Sequence, residues 1–334
     1  MRKLLQKIFK PFFIWLADKF SAAPKQEAVF KSLTRLYKSI STKNKKGIVL
    51  EITTADKFII FSDQHKGAKD VADDFAMNET CYITALKYYF NEGFNFINLG
   101  DSEELLKYAI KDVLPKNKAS LETEALFHQQ SRYYRTFGNH DIAWKNPLDV
   151  SLHLKSFFPD NLTVHEGLVL RLKTGEQRLD IFLTHGHQGD SMSDGNPLSG
   201  WLLANIWAPI QRFLEINVNM PSVDPWLRNK HNRLMHEWSS KRKQLLLVTG
   251  HTHKPVFASG RYTAAEEHKI DTGSGKIKPV YFNTGCCCYN DGDITGIEIS
   301  NGFIRLVKWK NGGESVAKII LEEKNIRDIL TDIQ

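Results

Sequence analysis

The 334-residue chain has few cysteines, no long apolar run and no evident internal repeat. Three of its four cysteines are adjacent, Cys286, Cys287 and Cys288, and neighbouring cysteines seldom meet disulfide geometry. Without a disulfide framework, a reducing compartment such as the cytoplasm is the expected location. The apolar run 11–17 is far too short to span a bilayer, and no small-residue cleavage site follows it at the spacing of a signal peptide.

The balance of residue types is that of a globular protein, which excludes a disordered or fibrous chain. The net charge of +7 is unevenly distributed. Residues 1–47 hold twelve Lys or Arg against Asp18 and Glu27, which gives +10 there and leaves −3 for the remainder. The basic character therefore belongs to the N-terminal segment, and the body carries no strong nucleic-acid signal.

Residues 1–20 place apolar side chains at helical spacing, with Lys and Arg largely on the other side. Such a basic amphipathic helix, with Trp15 and four Phe residues, can lie in a membrane interface. It can equally cover the protein's own core, and the sequence leaves both alternatives open.

We divide the chain into an N-terminal segment 1–47, a domain 48–322 and a C-terminal tail 323–334. A helix is predicted over 26–40, and a polar linker precedes the domain. Within the domain, short apolar runs alternate with helical patterns, which predicts an α/β fold with its site at the carboxyl ends of strands. Near the end of the domain, Asn301-Gly302 and Asn311-Gly312-Gly313 predict β-hairpins.

The stretch of about 190–243 interrupts this alternation and holds four of the seven Trp residues, with a basic second half. We interpret it as a helical cap beside the site, although Trp and Leu at helical spacing most often pack inward.

Short polar blocks end six of the predicted strands. In chain order they are Asp63-Gln64-His65, Gly100-Asp101, Gly138-Asn139-His140-Asp141, His185-Gly186-His187, Gly250-His251-Thr252-His253 and Asn283-Thr284-Gly285. Each block alone has a plain explanation, such as a capped turn. Together they offer the carboxylate, imidazole and amide ligands that a site for two divalent metals requires.

The order of the first five blocks resembles the calcineurin-like metallophosphoesterase superfamily, over roughly residues 48–300. The resemblance implies a two-layer β-sandwich flanked by helices, here with a cap insertion, and two divalent ions. The ligand types admit Mn, Fe, Zn or Mg and do not choose among them. Carried onto this chain, the ligands are Asp63, His65 and His253 for one ion, Asn139, His185 and His251 for the other, and Asp101 shared by both.

The resemblance also implies a catalytic role for His140, which would stabilise charge on the phosphoryl group or protonate the leaving oxygen. Asp141 is expected to orient that ring. One position departs from the family's Gly-Asp-x-x-Asp pattern, because Glu104 stands where Asp is common, so the supporting hydrogen bonds are expected to differ. His187 and the Asn283 turn receive no ligand role.

The predicted activity is metal-dependent hydrolysis of a phosphoester or pyrophosphate bond. The basic start and the Trp-rich cap resemble the membrane-peripheral UDP-diacylglucosamine pyrophosphohydrolases of lipid A synthesis, which implies a lipid-linked substrate and membrane contact through residues 1–20 and the cap. That subfamily has Arg where this chain has His140, the residue of general phosphodiesterases. A nucleotide or nucleic-acid phosphodiesterase is therefore the alternative. A non-catalytic scaffold is a third alternative. The presence of every ligand position argues against it.

Overall fold

The structure is a computed structural model, and it describes residues 25–43, 45–159, 162–174, 177–189, 225–259, 278–313 and 315–333. The amphipathic helix predicted over 1–20 and residues 190–224 of the predicted cap lie outside the described residues. Among the helices that are described, none is long and apolar enough to cross a membrane.

Strands and helices alternate through the first three quarters of the chain. The described strands are β1 (Gly47–Ile52), β2 (Phe58–Phe61), β3 (Asn95–Leu99), β4 (Tyr133–Thr136), β5 (Val164–His165), β6 (Gly167–Thr174), β7 (Gln177–Thr184), β8 (Leu245–Thr249), β9 (Tyr281–Asn283), β10 (Ile294–Ser300), β11 (Phe303–Asn311) and β12 (Val316–Asn325). The described α-helices are α1 (Gln26–Lys43), α2 (Glu79–Asn91), α3 (Ile110–Val113), α4 (Lys118–Gln129), α5 (Pro147–His153), α6 (Pro225–Ser240) and α7 (Ile326–Asp332).

The strands form two sheets, one of seven strands in the order β12-β11-β10-β2-β3-β4-β5 and one of five in the order β1-β6-β7-β8-β9. Alternate residues of the central strands face opposite sides, as the pleat requires. In β2, Ile59 packs with the helices α2 and α4, whereas Ile60 packs with Leu183 and Val248 of the other sheet. Strands buried on both faces appear in the sequence as continuous apolar runs, as β8 does.

This arrangement confirms the predicted fold class, an α/β fold with two sheets flanked by helices. The strand ends predicted before the polar blocks are also observed, and the two hairpins join β10, β11 and β12. The sequence patterns did not reveal β1, β5 or β6. The two-residue β5 is too short for periodicity. Strand β1 follows a polar linker, and Ile52 is its one buried residue.

The proposed division at residue 47 does not separate two packing units. Helix α1 buries Val29, Leu33 and Ile40 against the outer face of the five-stranded sheet, where Trp238 of α6 joins them. Residues 26–43 thus belong to the same core as the domain.

The boundary drawn at residue 322 also cuts a packed element, since β12 continues to Asn325. Helix α7 follows at once and buries Ile326, Ile329 and Leu330 in the core between the sheets. Apolar residues at helical spacing hold this end of the chain in place.

Two sets of parallel strands direct their carboxyl ends to one edge of the sandwich. In the larger sheet β2, β3 and β4 are parallel neighbours, and in the smaller one β7, β8 and β9 are. The six polar blocks lie at the ends of these six strands, and the packing of the two sheets brings the blocks together, since the amide of His251 bonds the Asp63 carboxylate.

We predict that Leu33→Ala lowers the free energy of unfolding by about 2–5 kcal/mol, because Leu33 is fully buried between α1 and the sheet. Chemical denaturation of the full chain measures this. Arg35→Ala, an exposed position on the same helix, serves as control and should change stability by less than about 0.5 kcal/mol. Equal stability of the two variants would contradict the assignment of α1 to the core.

Candidate metal centre

Five of the predicted ligand residues have a left-handed backbone. Their φ angles are 53° at Asp63, 51° at His65, 51° at Asp101, 68° at His251 and 54° at His253. This region is costly for residues other than Gly and persists where the surroundings enforce it, most often at functional sites.

Hydrogen bonds between the loops enforce this backbone. The amide of Asp63 donates to the carbonyl of Gly100 at 3.0 Å, and that of His65 donates to the carbonyl of Asp101 at 3.0 Å. The amide of His251 donates to the Asp63 carboxylate at 3.0 Å. The loops after β2, β3 and β8 therefore hold one another in conformations that none would adopt alone.

Two glycines allow the loops to approach closely. A Cβ at Gly138 would lie 2.1 Å from Oδ1 of Asp101, and one at Gly250 would lie 2.3 Å from Oδ2 of Asp63. Any side chain at either position would displace a buried carboxylate. The Gly residues of these two blocks thus make room for the acids rather than acting themselves.

One group of side chains that could hold a metal ion comprises Asp63, His65 and Asp101, whose ligand atoms lie within 4.8 Å of one another. His253 adjoins it, with Nε2 lying 3.3 Å from Oδ1 of Asp63 and 3.1 Å from Nε2 of His65. Although burial opposes it, the Asp63 carboxylate raises the pKa of His253 to about 9. A position that favours protonation of an imidazole favours positive charge, which a cation also supplies.

A second group comprises Asp101, His185 and His251, again within 4.8 Å. The Nδ1–H of His185 donates to the carbonyl of Leu99 at 2.9 Å, so Nε2 is the nitrogen left to face an ion, and it lies 3.1 Å from Oδ2 of Asp101. Asp101 belongs to both groups, which is the position of a carboxylate shared between two ions.

Three buried atoms in this part of the chain lack a hydrogen-bond partner: Oδ1 of Asn139, Nε2 of His185 and Nε2 of His251. Buried polar atoms nearly always have a partner, so these three are suited to an ion that supplies it. The residues present thus fit divalent cations. Six of the seven predicted ligands lie in or beside the two groups, and Asn139 directly precedes His140, whose amide donates to Oδ1 of Asp101 at 2.8 Å. The mixture of oxygen and nitrogen donors does not select one metal.

His140 lies beside the first group, with its ring centroid 4.5 Å from that of His65. Its Nδ1 is 2.8 Å from Oε1 of Glu104, and Nδ1 of His65 is 3.2 Å from Oε2 of the same carboxylate. Burial opposes ionisation of Glu104, but His140 and Lys107 hold its pKa well below the usual value. An ionised Glu104 therefore accepts from both rings and directs the Nε2 atoms away from itself.

The prediction that Asp141 orients the His140 ring is wrong. The Asp141 carboxylate instead accepts the backbone N–H groups of Gly138 at 2.6 Å and of Ser102 at 2.9 Å. It is fully buried, and burial together with Asp101 raises its pKa to about 6. Asp141 thus stabilises the turn that carries Asn139 and His140. The signal for Glu104 was its place in the block, four positions after Gly100.

The sixth block supports the ligand loops. The Asn283 side chain donates to the carbonyl of Gly250 at 2.7 Å and accepts the amide of Gly285 at 2.9 Å. The Thr284 hydroxyl lies 2.6 Å from that of Ser62, which in turn bonds the Asp63 carboxylate. No ligand role was predicted here, and the contacts are those of a supporting turn.

The cysteine triplet lies beside the centre, through Cys288. Sγ of Cys288 is 3.6 Å from Nδ1 of His253, and Cys288 forms a group with His65 and His253 whose ligand atoms lie within 4.8 Å. The triplet is buried throughout. Its adjacency in sequence did not indicate which of the three thiols would face the site.

No protein-family profile matches the chain, and no curated protein is significantly similar to it. Several solved structures resemble the chain at low identity. Vacuolar protein sorting 29 from Cryptosporidium parvum is 14% identical, with 81% of this chain and 99% of that chain covered and a TM-score of 0.34. A dimetal phosphatase from Danio rerio is 10% identical, with 80% and 100% covered and a TM-score of 0.42. A cold-active protein-tyrosine phosphatase from a psychrophilic Shewanella is 11% identical, with 81% and 82% covered and a TM-score of 0.36.

We predict that Asp101→Asn weakens metal binding at both positions, because the carboxylate belongs to both groups. Affinity should fall by at least roughly 10- to 100-fold, the loss typical of disturbing even an outer partner of a ligand. Titration of the metal-free protein with Mn²⁺ in a calorimeter measures this. Asp180→Asn is the matched control, since that buried carboxylate bonds Arg171 and Arg178 instead. Loss of a single ion would contradict the shared role.

Proposed function

We propose that the protein hydrolyses a phosphoester or pyrophosphate bond with the help of two divalent cations. The observation that carries the proposal is the pair of His/Asp groups that share Asp101. A carboxylate common to two sites could hold two ions close enough to act together, as two-metal hydrolases require. The motif order that resembles the calcineurin-like metallophosphoesterases supports the same activity.

The cations would be held by the seven residues named above, Asp63, His65 and His253 on one side, Asn139, His185 and His251 on the other, and Asp101 between. When bound, they supply activation of a water molecule and electrostatic stabilisation of the phosphoryl oxygens. The chain's own contribution is the geometry, because the ligand loops are interlocked and their donor atoms are fixed before an ion arrives.

His140 is the residue proposed to act on the substrate. Glu104 accepts a hydrogen bond from the Nδ1–H of His140. Nε2 is therefore the nitrogen left to contact a phosphoryl or leaving-group oxygen. The ring is partly accessible, with 16% of its side chain exposed, whereas Glu104 is buried. The buried carboxylate also bonds His65, so one residue positions both a proposed ligand and the proposed catalytic ring.

The proposal extends to a substrate with a lipid tail, in the cytoplasm and at a membrane surface, as the sequence predicts. Most of the segments behind that prediction lie outside the described residues. One described feature favours it: Leu148 and Leu152 of α5, which follows the His140 loop, are 77% and 75% exposed. Exposed Lys145 and Lys155 flank them in sequence. Apolar side chains between cations suit an anionic lipid surface.

We expect the Mn²⁺-loaded protein to hydrolyse bis(p-nitrophenyl) phosphate and to lose this activity with excess EDTA. His140→Ala should lower kcat by roughly 10²–10⁴-fold while retaining both ions, because it removes a proposed acid or charge stabiliser but no ligand. Release of p-nitrophenol and elemental analysis measure the two quantities.

His153→Ala is the control, since that histidine lies outside the centre and should leave kcat unchanged. A fall in metal content on replacing His140 would contradict its role. Full activity in EDTA would contradict the proposed function itself. Incubation with cyclic nucleotides, single-stranded DNA and nucleotide-linked lipids, with the products separated by chromatography, distinguishes the phosphodiesterase alternative from the lipid one. A scaffold would turn over none of them.

We predict that wild-type protein sediments with vesicles containing phosphatidylglycerol, and that the double variant Leu148→Ser, Leu152→Ser binds them roughly tenfold or more weakly, because two exposed apolar side chains are lost. Ile319→Ser, at a partly exposed position of β12, is the matched control and should bind as wild type does. Equal binding of all three proteins, or none by wild type, would contradict the membrane surface at α5.

A further inference from the structure

Helix α6 is fastened to the loop that carries two of the proposed metal ligands. Its Asn232 side-chain oxygen accepts hydrogen bonds from the hydroxyls of Thr252 at 3.0 Å and Tyr281 at 2.9 Å. Thr252 stands between His251 and His253, so the first bond reaches the ligand loop directly. Elsewhere on α6, Leu234, Met235 and Trp238 are anchored in the core with α1. The position of α6 beside the centre is therefore set from two sides.

His231, the residue before Asn232, lies against the centre. Its ring centroid is 5.0 Å from that of His251, and the side chain is almost fully buried. Its Nε2 has no hydrogen-bond partner, and neither has Nδ2 of Asn232. Burying polar atoms without partners costs free energy, and water, an ion or a bound molecule can supply the missing partner.

His231 is not placed as a metal ligand. Among the described residues, the groups of His, Cys, Asp and Glu whose ligand atoms converge within 4.8 Å do not include it. Its ring contacts the ring of the proposed ligand His251, but it does not itself lie among the ligand atoms. From this position, His231 would contact a part of the substrate other than the oxygens that the ions would bind.

We infer that His231 and Asn232 form a substrate subsite, with His231 Nε2 and Asn232 Nδ2 hydrogen-bonding the second substituent of a phosphodiester or pyrophosphate. The inference rests on the proposed function and deepens it, because a phosphomonoester has no second substituent to place there. Helix α6, the described part of the insertion between β7 and β8, then acts as a specificity element.

The test compares kcat/KM of Mn²⁺-loaded variants for bis(p-nitrophenyl) phosphate, a diester, and p-nitrophenyl phosphate, a monoester. His231→Phe should lower the diester value by about 3- to 10-fold, the effect of losing a hydrogen bond to a neutral group, and the monoester value by less than about twofold. His231→Asn, whose amide still donates, should recover most of the diester activity. Metal content should stay unchanged.

His236→Phe is the matched control, because His236 is buried on the same helix but its Nε2 bonds the carbonyl of Lys278 at 3.1 Å. It should leave the ratio of the two kcat/KM values unchanged and lower the Tm of the metal-free protein. His231→Phe should keep or raise that Tm, since it removes an atom without a partner. A purely structural role for His231 predicts a lower Tm instead.

Equal falls for both esters, loss of metal from His231→Phe, or an unchanged ester ratio in an active enzyme would each overturn the subsite while leaving the proposed function intact. If the wild-type protein turns over neither ester, the proposed function falls, and the subsite with it.

Discussion

The structure is organised around two carboxylates, Asp63 and Asp101, that are buried beside each other and among imidazoles. Burying like charges together is unfavourable unless positive charge compensates them. The protein surrounds them with His rings and backbone N–H groups, including those of His251 and His140. These contacts offset part of the cost, and the remaining preference for positive charge is what makes the centre suitable for cations.

Such a centre needs a scaffold that keeps its parts from relaxing. Parallel strands of both sheets end at one edge of the sandwich. Their apolar side chains pack into the core between the two sheets. The loops beyond them bond one another, and Gly138 and Gly250 allow contacts that a Cβ would prevent. The left-handed residues are the price of this close approach, and the core that the two sheets share enforces it.

Much of the candidate centre could be predicted from the sequence, because each ligand block follows a strand and each strand is an apolar run of recognisable length. The role of Asp141 could not. Its neighbour His140 is adjacent in sequence, yet the carboxylate turns back to its own loop while Glu104 arrives from β3. The sequence predicts which block carries a side chain. The direction in which that side chain points, and so its hydrogen-bond partner, is set by dihedral angles that the sequence pattern does not reveal.

By itself, the sequence determined the α/β class, the order of the strands before the polar blocks and the identity of the candidate ligands, since these depend on local periodicity and residue chemistry. Only the tertiary structure decided that Asp101 belongs to both groups, that Glu104 joins His65 to His140, and that His231 of α6 lies against His251. Those relations join residues from separate elements, and only the packing of the two sheets and their helices sets the distances between them.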